Sequence, residues 1–572
     1  MKLAVLGVAA LFLLLAGGAA ALWVFSKTDD NLPPPDGPLW LKDITDEVGL
    51  DFVHDAGDLN QYQLPQIHGS GVALFDFDGD GRVDIYLLTH GGPKSKSINR
   101  LFKNMPDGSF KDVTEGSGLG IAGFNTGVAI GDVNNDGWPD VLVTQYGGVK
   151  LFLNNSKGTF SDVTEEAGLK NPLWATSASF VDYNRDGWLD LVVVNYLEND
   201  PSFPCRTPSG AKEFCGPNAF PGTVSKIFRN LGNARKGRVE FQDVTVAAGL
   251  SKAPAPGLGV YCADFNGDAW PDIFIANDGK PNHLWINQKE KGTFAEEAYL
   301  HGVAVDGAGM AQAGMGVAIG DIDGDGLFDL YVTHLATERN TLWRQGPKRG
   351  SFNDRTAAAG LVNSAWRGTG FGSLMGDFDN DGWLDLAVVN GRIARHTTTS
   401  LSYAPLGEPL MRYAERNQLF RNEGLGKLRD VSESNAPFSG TPNVARGLAS
   451  GDLNNDGGLD LVVTTVAGPA RVFRNVAPKR GHWLRVQALD PRLKRDAYGA
   501  EVTIQAGTRK WLRIIQPSDS YQSSSDPRAH FGLGETATFD AVHVFWPDGL
   551  AETFPGGSAD RTIVLSRGEG KE

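Results

Sequence analysis

Along most of this chain, short apolar runs rich in β-branched residues alternate with polar turns, and the runs come in facing pairs. GVALF and IYLLT flank one polar nonapeptide, and GVAIG and VLVTQ flank the next. Runs this short, bounded by Gly, Asp and Asn, predict strands rather than helices. A further signature follows each pair: LFKN, LFLN, IFRN, LWIN, LWRQ or LFRN, then a segment such as GSFKDVTEGSGL or GTFSDVTEEAGL. The repeating unit is therefore four short strands, the content of a propeller blade.

The nonapeptide occurs seven times: DFDGDGRVD, DVNNDGWPD, DYNRDGWLD, DFNGDAWPD, DIDGDGLFD, DFDNDGWLD and DLNNDGGLD. Its first position is Asp76, Asp132, Asp182, Asp264, Asp321, Asp377 and Asp452 in turn. The third is Asp78, Asn134, Asn184, Asn266, Asp323, Asp379 and Asn454. The fifth is Asp80, Asp136, Asp186, Asp268, Asp325, Asp381 and Asp456, and the ninth is Asp84, Asp140, Asp190, Asp272, Asp329, Asp385 and Asp460. Oxygens at positions 1, 3 and 5, a carbonyl at 7 and a carboxylate at 9 form a hard-oxygen cage suited to Ca²⁺. Up to seven calcium ions are expected.

An EF-hand would need Glu at position 12 and flanking helices. Here position 12 is apolar (Leu87, Val143, Val193) and lies inside a strand run. Plain acidic turns are the weaker alternative, since a turn rarely needs four fixed oxygens. Loops with Asp at position 3 are expected to bind most tightly. The fourth should be strained and weakest, because Ala269 replaces the glycine of position 6.

Composition changes the picture in two ways. The net charge of −15 over 572 residues argues against nucleic acid as a partner, and seven bound Ca²⁺ would bring it close to neutral. Residues 3–26 carry no charge, between Lys2 and Lys27, so 1–27 reads as a signal-anchor or signal peptide. Gly18–Ala21 could be a cleavage site, but Leu22, Trp23, Val24 and Phe25 prolong the apolar run and favour an anchor. Residues 28–39, with Pro33, Pro34 and Pro35, form a semi-rigid spacer. The bulk of the chain is then exported, at a cell surface or in a periplasm. Cys205 and Cys215 can pair there, a zinc site being the poorer alternative, and Cys262 reads as a buried odd thiol.

The first loop is preceded by WLKDITDEVGL without an LFxN strand, and the last repeat ends at RVFRNVAP without a DVT strand. An N-terminal strand can complete the last blade and close a ring of seven. After residue 478 the repeats stop. Residues 481–568 read as short strands (HWLRVQAL, AEVTIQA, KWLRIIQ, DAVHVFW, TIVLS) of a β-sandwich-like module. The fold expected is all-β, a seven-bladed propeller over 40–478 followed by this small domain.

The loops and the Gly-rich strands before them, AGMGVAIGD and GTGFGSLMGD, resemble FG-GAP/VCBS repeats, the blades of integrin α-like propellers. YGAEVTI, SDSYQSSSDPRAHFGLG and VHVFWPDG resemble the ASPIC/UnbV domain. That layout resembles the cartilage acidic protein-like family. It implies calcium at the loop positions named above and an extracellular matrix or adhesion-type role.

Two connections between second and third strands, 191–226 and 386–418, are about three times the length of the others. Both should emerge on the face opposite the metal loops, where insertions on a stiff scaffold can bind a protein or glycan partner. Phe203, Phe214 and Phe220 lie in one; Arg392, Arg395, His396, Tyr403, Arg412 and Tyr413 lie in the other. His90, Tyr146, Tyr196, Asp278, His334 and Asn390 end strands around the central channel and could hold a ligand; the plainer reading is that they cap strand ends. No nucleophile elbow, HExxH or P-loop is present, so a binding, adhesion or scaffold module is favoured over an exported glycan-active lyase or hydrolase.

Overall fold

The structure is a computed structural model that describes residues 37–156, 158–232, 238–395, 406–478 and 480–572. Residues 39–572 form one compact unit. The expected anchor, the spacer up to residue 36, His396 and Tyr403 lie outside the described residues. Among the described residues no helix is long and apolar enough to cross a membrane.

Seven antiparallel blades form in sequence order, and their innermost strands are the Gly-rich runs before each nonapeptide. These are Val72–Phe75, Asn125–Gly131, Ala175–Val181, Gly257–Ala263, Val317–Gly320, Gly370–Gly376 and Ala445–Gly451. One register recurs: the residue before loop position 1 pairs with position 9, as Phe75 with Asp84, Gly131 with Asp140 and Gly451 with Asp460. Each nonapeptide is thus the connection between first and second strands. Leu41–Asp43 pairs antiparallel with Arg471–Asn475 and supplies the outer strand of the seventh blade. The ring closes through that strand, as the terminal bookkeeping predicts, and no blade keeps an open end.

Apolar side chains fill the spaces between neighbouring blades. Between the first and second blades, Tyr86, Leu101, Val128, Val141 and Phe152 are buried in one cluster. The DVT signature has a local cause. In the first blade Asp112 accepts the Thr114 N–H at 2.9 Å, and the Thr114 hydroxyl accepts Leu101 N–H at 2.9 Å, tying the fourth strand to the third.

After residue 480 the chain builds two four-stranded sheets. One joins His482–Asp490, Arg495–Asp496, Ala529–Gly534 and Arg561–Ser566; the other joins Glu501–Ala506, Arg509–Ile514, Thr538–Phe545 and Ala551–Ser558. Val486, Ile504, Trp511, Phe531, Val544 and Trp546 are buried between them. Between the two sheets' strands, residues 515–528 leave the sandwich and enter the propeller's channel, where Ser523–Ser524 adds parallel to the innermost strand of the first blade.

Candidate metal centres and the filled channel

Each nonapeptide is wrapped by its own backbone. In the first, Asp76 accepts N–H groups from Gly79, Asp80 and Gly81 at 2.8, 3.1 and 2.7 Å. Wrapping requires positive φ at position 6, and Gly81, Gly137, Gly187, Gly326, Gly382 and Gly457 all lie between 83° and 97°. Ala269 takes the same conformation at φ 72° and still donates to Asp264 at 2.7 Å, so the fourth loop has the common shape with a residue that resists it. Position 4 is also left-handed in every loop, which explains why it is Gly or Asn in all but one and Arg185 in the third.

The three loops with Asp at position 3 bring carboxylates together. One oxygen from each of Asp76, Asp78 and Asp84 lies within 4.8 Å of the others; so do those of Asp321, Asp323 and Asp325, and of Asp377, Asp379 and Asp385. Asp78 Oδ1, Asp377 Oδ1 and Asp379 Oδ1 are buried with no hydrogen-bond partner. Buried carboxylate oxygens without a donor suit a bound cation. The donor set is all hard oxygen, which fits Ca²⁺ or Mg²⁺ rather than a thiophilic metal.

Electrostatics point the same way. Burial, reinforced by the neighbouring carboxylates, pushes Asp84 and Asp460 up to about 8. The same cause holds Asp140, Asp190, Asp272, Asp329 and Asp385 well above the usual carboxylate range. At position 1, burial raises Asp132, Asp182 and Asp321 to about 6. The position-9 carboxylate also does structural work. Asp84 accepts Asn104 N–H at 2.8 Å and Phe77 N–H at 3.2 Å, bridging its loop to the third strand.

That asparagine, the last letter of LFxN, has a role the sequence reading did not assign. Asn154 donates to Pro139 O in its own blade and to Phe77 O in the preceding one, at 3.3 and 2.9 Å. Asn104 reaches Leu453 O, Asn230 Val133 O, Asn287 Tyr183 O, Asn422 Ile322 O and Asn475 Phe378 O. Each therefore staples one blade to the metal loop of the blade before it. The recurrence of Asn in six of seven copies was the available signal; the fifth blade has Gln345, which donates to Phe328 O of its own blade at 2.8 Å. The residue before this Asn is basic in the loops richest in carboxylate: Lys103 pairs with Asp78 and Asp80, Arg344 with Asp323, and Arg421 with Asp379 at 3.0 Å.

The opposite end of the ring is a lid. The two insertions, from the third and sixth blades, meet over the channel. Arg395 Nε donates to Glu213 at 3.1 Å, the Tyr413 hydroxyl donates to the same carboxylate, and Phe214 packs edge-on against Tyr413. Leu64, Ile67, Phe214, Cys215 and Leu410 form their shared apolar layer. Cys205 and Cys215 are disulfide-bonded, and Cys262 is free and buried, as expected. Arg446, fully buried, donates to Ile67 O, Gly391 O and Ala445 O at 2.7, 2.9 and 2.6 Å while stacking on Phe371.

The six strand-end residues surround a channel that is filled, not an open pore. His90, Tyr196, Asp278, His334 and Asn390 are all buried, and Tyr146 is half-buried. His90 Nδ1 lies 3.0 Å from Asn125 O, Asn390 donates to Arg416 O at 2.7 Å, and Tyr146 donates to Asn199 O at 3.3 Å. Tyr196 donates to Asp278 at 2.5 Å; burial pushes Asp278 up to about 7 despite that bond. Tyr521, brought in by the C-terminal domain, takes the channel's centre, with its hydroxyl 3.1 Å from His68 Nδ1. Lid and inserted segment close the channel from its two ends, and His90 Nε2, Asp278 Oδ1 and Asn390 Oδ1 are buried there without a hydrogen-bond partner.

Comparison with known proteins agrees with this architecture. The FG-GAP-like repeat family matches residues 76–143, 132–193 and 264–332, and the ASPIC and UnbV family matches 490–572. Cartilage acidic protein 1 of Mus musculus is 28% identical over 356 residues, 60% of this chain and 50% of that protein. The Homo sapiens protein is 27% identical over 359 residues, 61% of this chain and 49% of its own length. The chain thus spans about half the length of the curated relatives it matches. A solved Agrocybe aegerita lectin aligns over 72% of this chain and 92% of its own, with 15% identity and a TM-score of 0.39, too low to carry an argument. On its repeats, its C-terminal domain and its homologues, the chain is an FG-GAP-repeat propeller with an ASPIC/UnbV domain, related to cartilage acidic protein 1.

Proposed function

We propose that this protein is an exported, calcium-stabilised binding or scaffold module whose insertion face engages a protein or glycan partner. The observation that carries the calcium reading is the set of orphaned, converging carboxylate oxygens in the wrapped loops. Positions 1, 3, 5 and 9 would hold the ion, which would supply charge neutralisation and a fixed loop shape, not chemistry on a substrate. Export is supported by the Cys205–Cys215 disulfide and the homologues named above; an N-terminal membrane anchor is part of the same proposal.

The partner face rests on the one-off segments of the lid. Phe203 is 51% exposed beside Phe220, on a rigid platform closed by the disulfide. Aromatic side chains held this way are typical interface anchors. The test is to capture partners with the full chain, then replace 197–222 by a short turn. Loss of binding with calcium-dependent melting retained supports the reading; binding unchanged in that variant refutes the insertion face.

A further inference from the structure

The metal-loop face is not open to solvent as a bare platform. The C-terminal sandwich sits on it and touches four of the seven loops directly, nearly always at positions 4 and 6, and a fifth through an intervening arginine. Arg495 Nε donates to Asn135 Oδ1 at 2.9 Å and its Nη2 to Gly187 O at 3.3 Å, joining the second and third loops. Arg509 and Trp511 Nε1 both donate to Gly382 O at 3.1 Å, and Gly534 N–H donates to Asn380 O at 2.8 Å, on the sixth. On the seventh, Arg485 donates to Asp452 at 3.1 Å and to Asn455 at 2.6 Å, and His530 Nε2 lies 3.0 Å from Gly457 O. The fourth is reached indirectly: Arg349, paired with Glu501 of the sandwich, donates to Asp264 O at 3.0 Å.

Positions 4 and 6 are the residues held at positive φ by the wrapping of each loop. Their carbonyls point at the sandwich only while the loop stays wrapped. Three or four carboxylates gathered in each loop repel one another unless a cation sits among them. The contacts that dock the sandwich therefore report whether the loops are loaded.

Docking also drives the axial hairpin home. Ser520 exchanges both backbone hydrogen bonds with Val317, at 2.8 and 2.9 Å, and Gln522 O accepts Val128 N–H at 3.1 Å. On the other side of the ring, Ser373 N–H donates to the Ser520 hydroxyl and Ser450 N–H to the Ser525 hydroxyl, each at 3.1 Å. The inserted backbone comes so close that a Cβ on Gly71 would lie 1.7 Å from Gln522 O. Only glycine at that point of the first blade admits the hairpin.

We propose that the metal-loop face is an interaction surface whose partner is the chain's own C-terminal sandwich, and that cation loading of the loops locks it and its Tyr521 hairpin in place. The proposal rests on the calcium reading above. By linkage, what strengthens docking must equally strengthen ion binding. Loss of the ions would free the sandwich and uncover the glycine-lined channel while the interblade cores hold the ring together.

The test uses the full chain, with amide hydrogen exchange and melting measured in calcium chloride and in excess EGTA. The expected result is that EGTA lowers the melting temperature and speeds exchange in 515–528 at least about tenfold, while second-strand amides such as 141–145 stay protected. A lowered melting temperature with 515–528 still protected would overturn the lock and leave the metal reading standing. An unchanged melting temperature would overturn both. The variant Tyr521→Ser alters no charge, and Tyr521 packs on Phe371 and His68 rather than on a loop. It should weaken calcium binding several-fold; wild-type affinity in this variant would overturn the coupling.

Discussion

The two ends of the propeller are built on opposite plans. At the metal end one loop is used seven times, with the same register and the same positive-φ positions, and in six of the seven blades the same Asn staple to the preceding blade. At the lid end nothing repeats: two unrelated insertions and a short helix, Leu64–His68, converge on Glu213, Arg446 and a disulfide. Charge divides likewise. The metal end gathers converging carboxylates; the lid end buries His54, His68 and His90, each kept neutral mainly by desolvation. Repetition builds one loop geometry seven times, whereas one-off packing builds a surface found nowhere else among the described residues.

The comparison breaks most easily at the metal end. Sites formed only in the folded state add RT ln(1 + [L]/Kd) each, about 2.7 kcal/mol at a hundredfold excess. Seven such sites sum to about 19 kcal/mol, so removing calcium should lower the melting temperature by on the order of 20 °C, given about 1 °C per kcal/mol for a unit this large at about 2.1 cal/mol/K of unfolding entropy per residue. Calorimetry in calcium and in chelator checks this, and coincident curves would end the seven-site reading.

A smaller effect tests the staple that links the repeated loops. Asn422 donates to Ile322 O and Leu384 O at 2.8 and 2.9 Å. Asn422→Ala leaves two buried carbonyls without donors and should cost about 2–3 kcal/mol. Chemical denaturation measures it. The same substitution at Gln345, which has no cross-blade bond to Tyr183's counterpart Phe265 among its hydrogen bonds, should cost less.

The lid end is sharpened by pH. Burial, with His90 and Arg446 nearby opposing Asp55, lowers His54 to about 3. A folded pKa below the unfolded value of about 6.5 means that the unfolded chain takes up the proton first. The stability present above pH 6.5 is then lost as pH falls toward 3. At pH 5 the loss from His54 alone is about 2 kcal/mol. Denaturation at saturating calcium should show that slope, and His54→Gln should flatten it. An identical slope in the variant would remove His54 from the account.

The smallest expected effect is a gain. Ala269 sits at φ 72°, so Ala269→Gly should stabilise the protein by about 1 kcal/mol and tighten calcium at the fourth loop. Anomalous scattering from calcium at the fourth and first loops of both proteins would show it; a loss of stability would mean that the alanine side chain makes up its strain by packing.

Much of this was legible in the chain because the blade is a local code. Period-two apolar runs, a nonapeptide with fixed oxygens and a DVT turn each act within a few residues, so repeating them fixed the fold, the loop geometry, the left-handed Ala269 and the ring closure through Leu41–Asp43. The Cys205–Cys215 pair was legible for the same reason, being close in sequence. Two things were not. The strand-end residues His90, Tyr196, Asp278, His334 and Asn390 could be read in sequence as plain caps, the favoured reading, or as channel ligands, and only packing shows the channel filled by Tyr521 and the lid. Arg485, Arg495 and Arg509 look like surface charges of a separate domain, yet they cap carbonyls and side chains of loops that precede them by between 30 and 360 residues. Local hydrogen bonding and periodicity are written into neighbouring residues; which distant surfaces meet depends on shape and charge that exist only once the ring has closed.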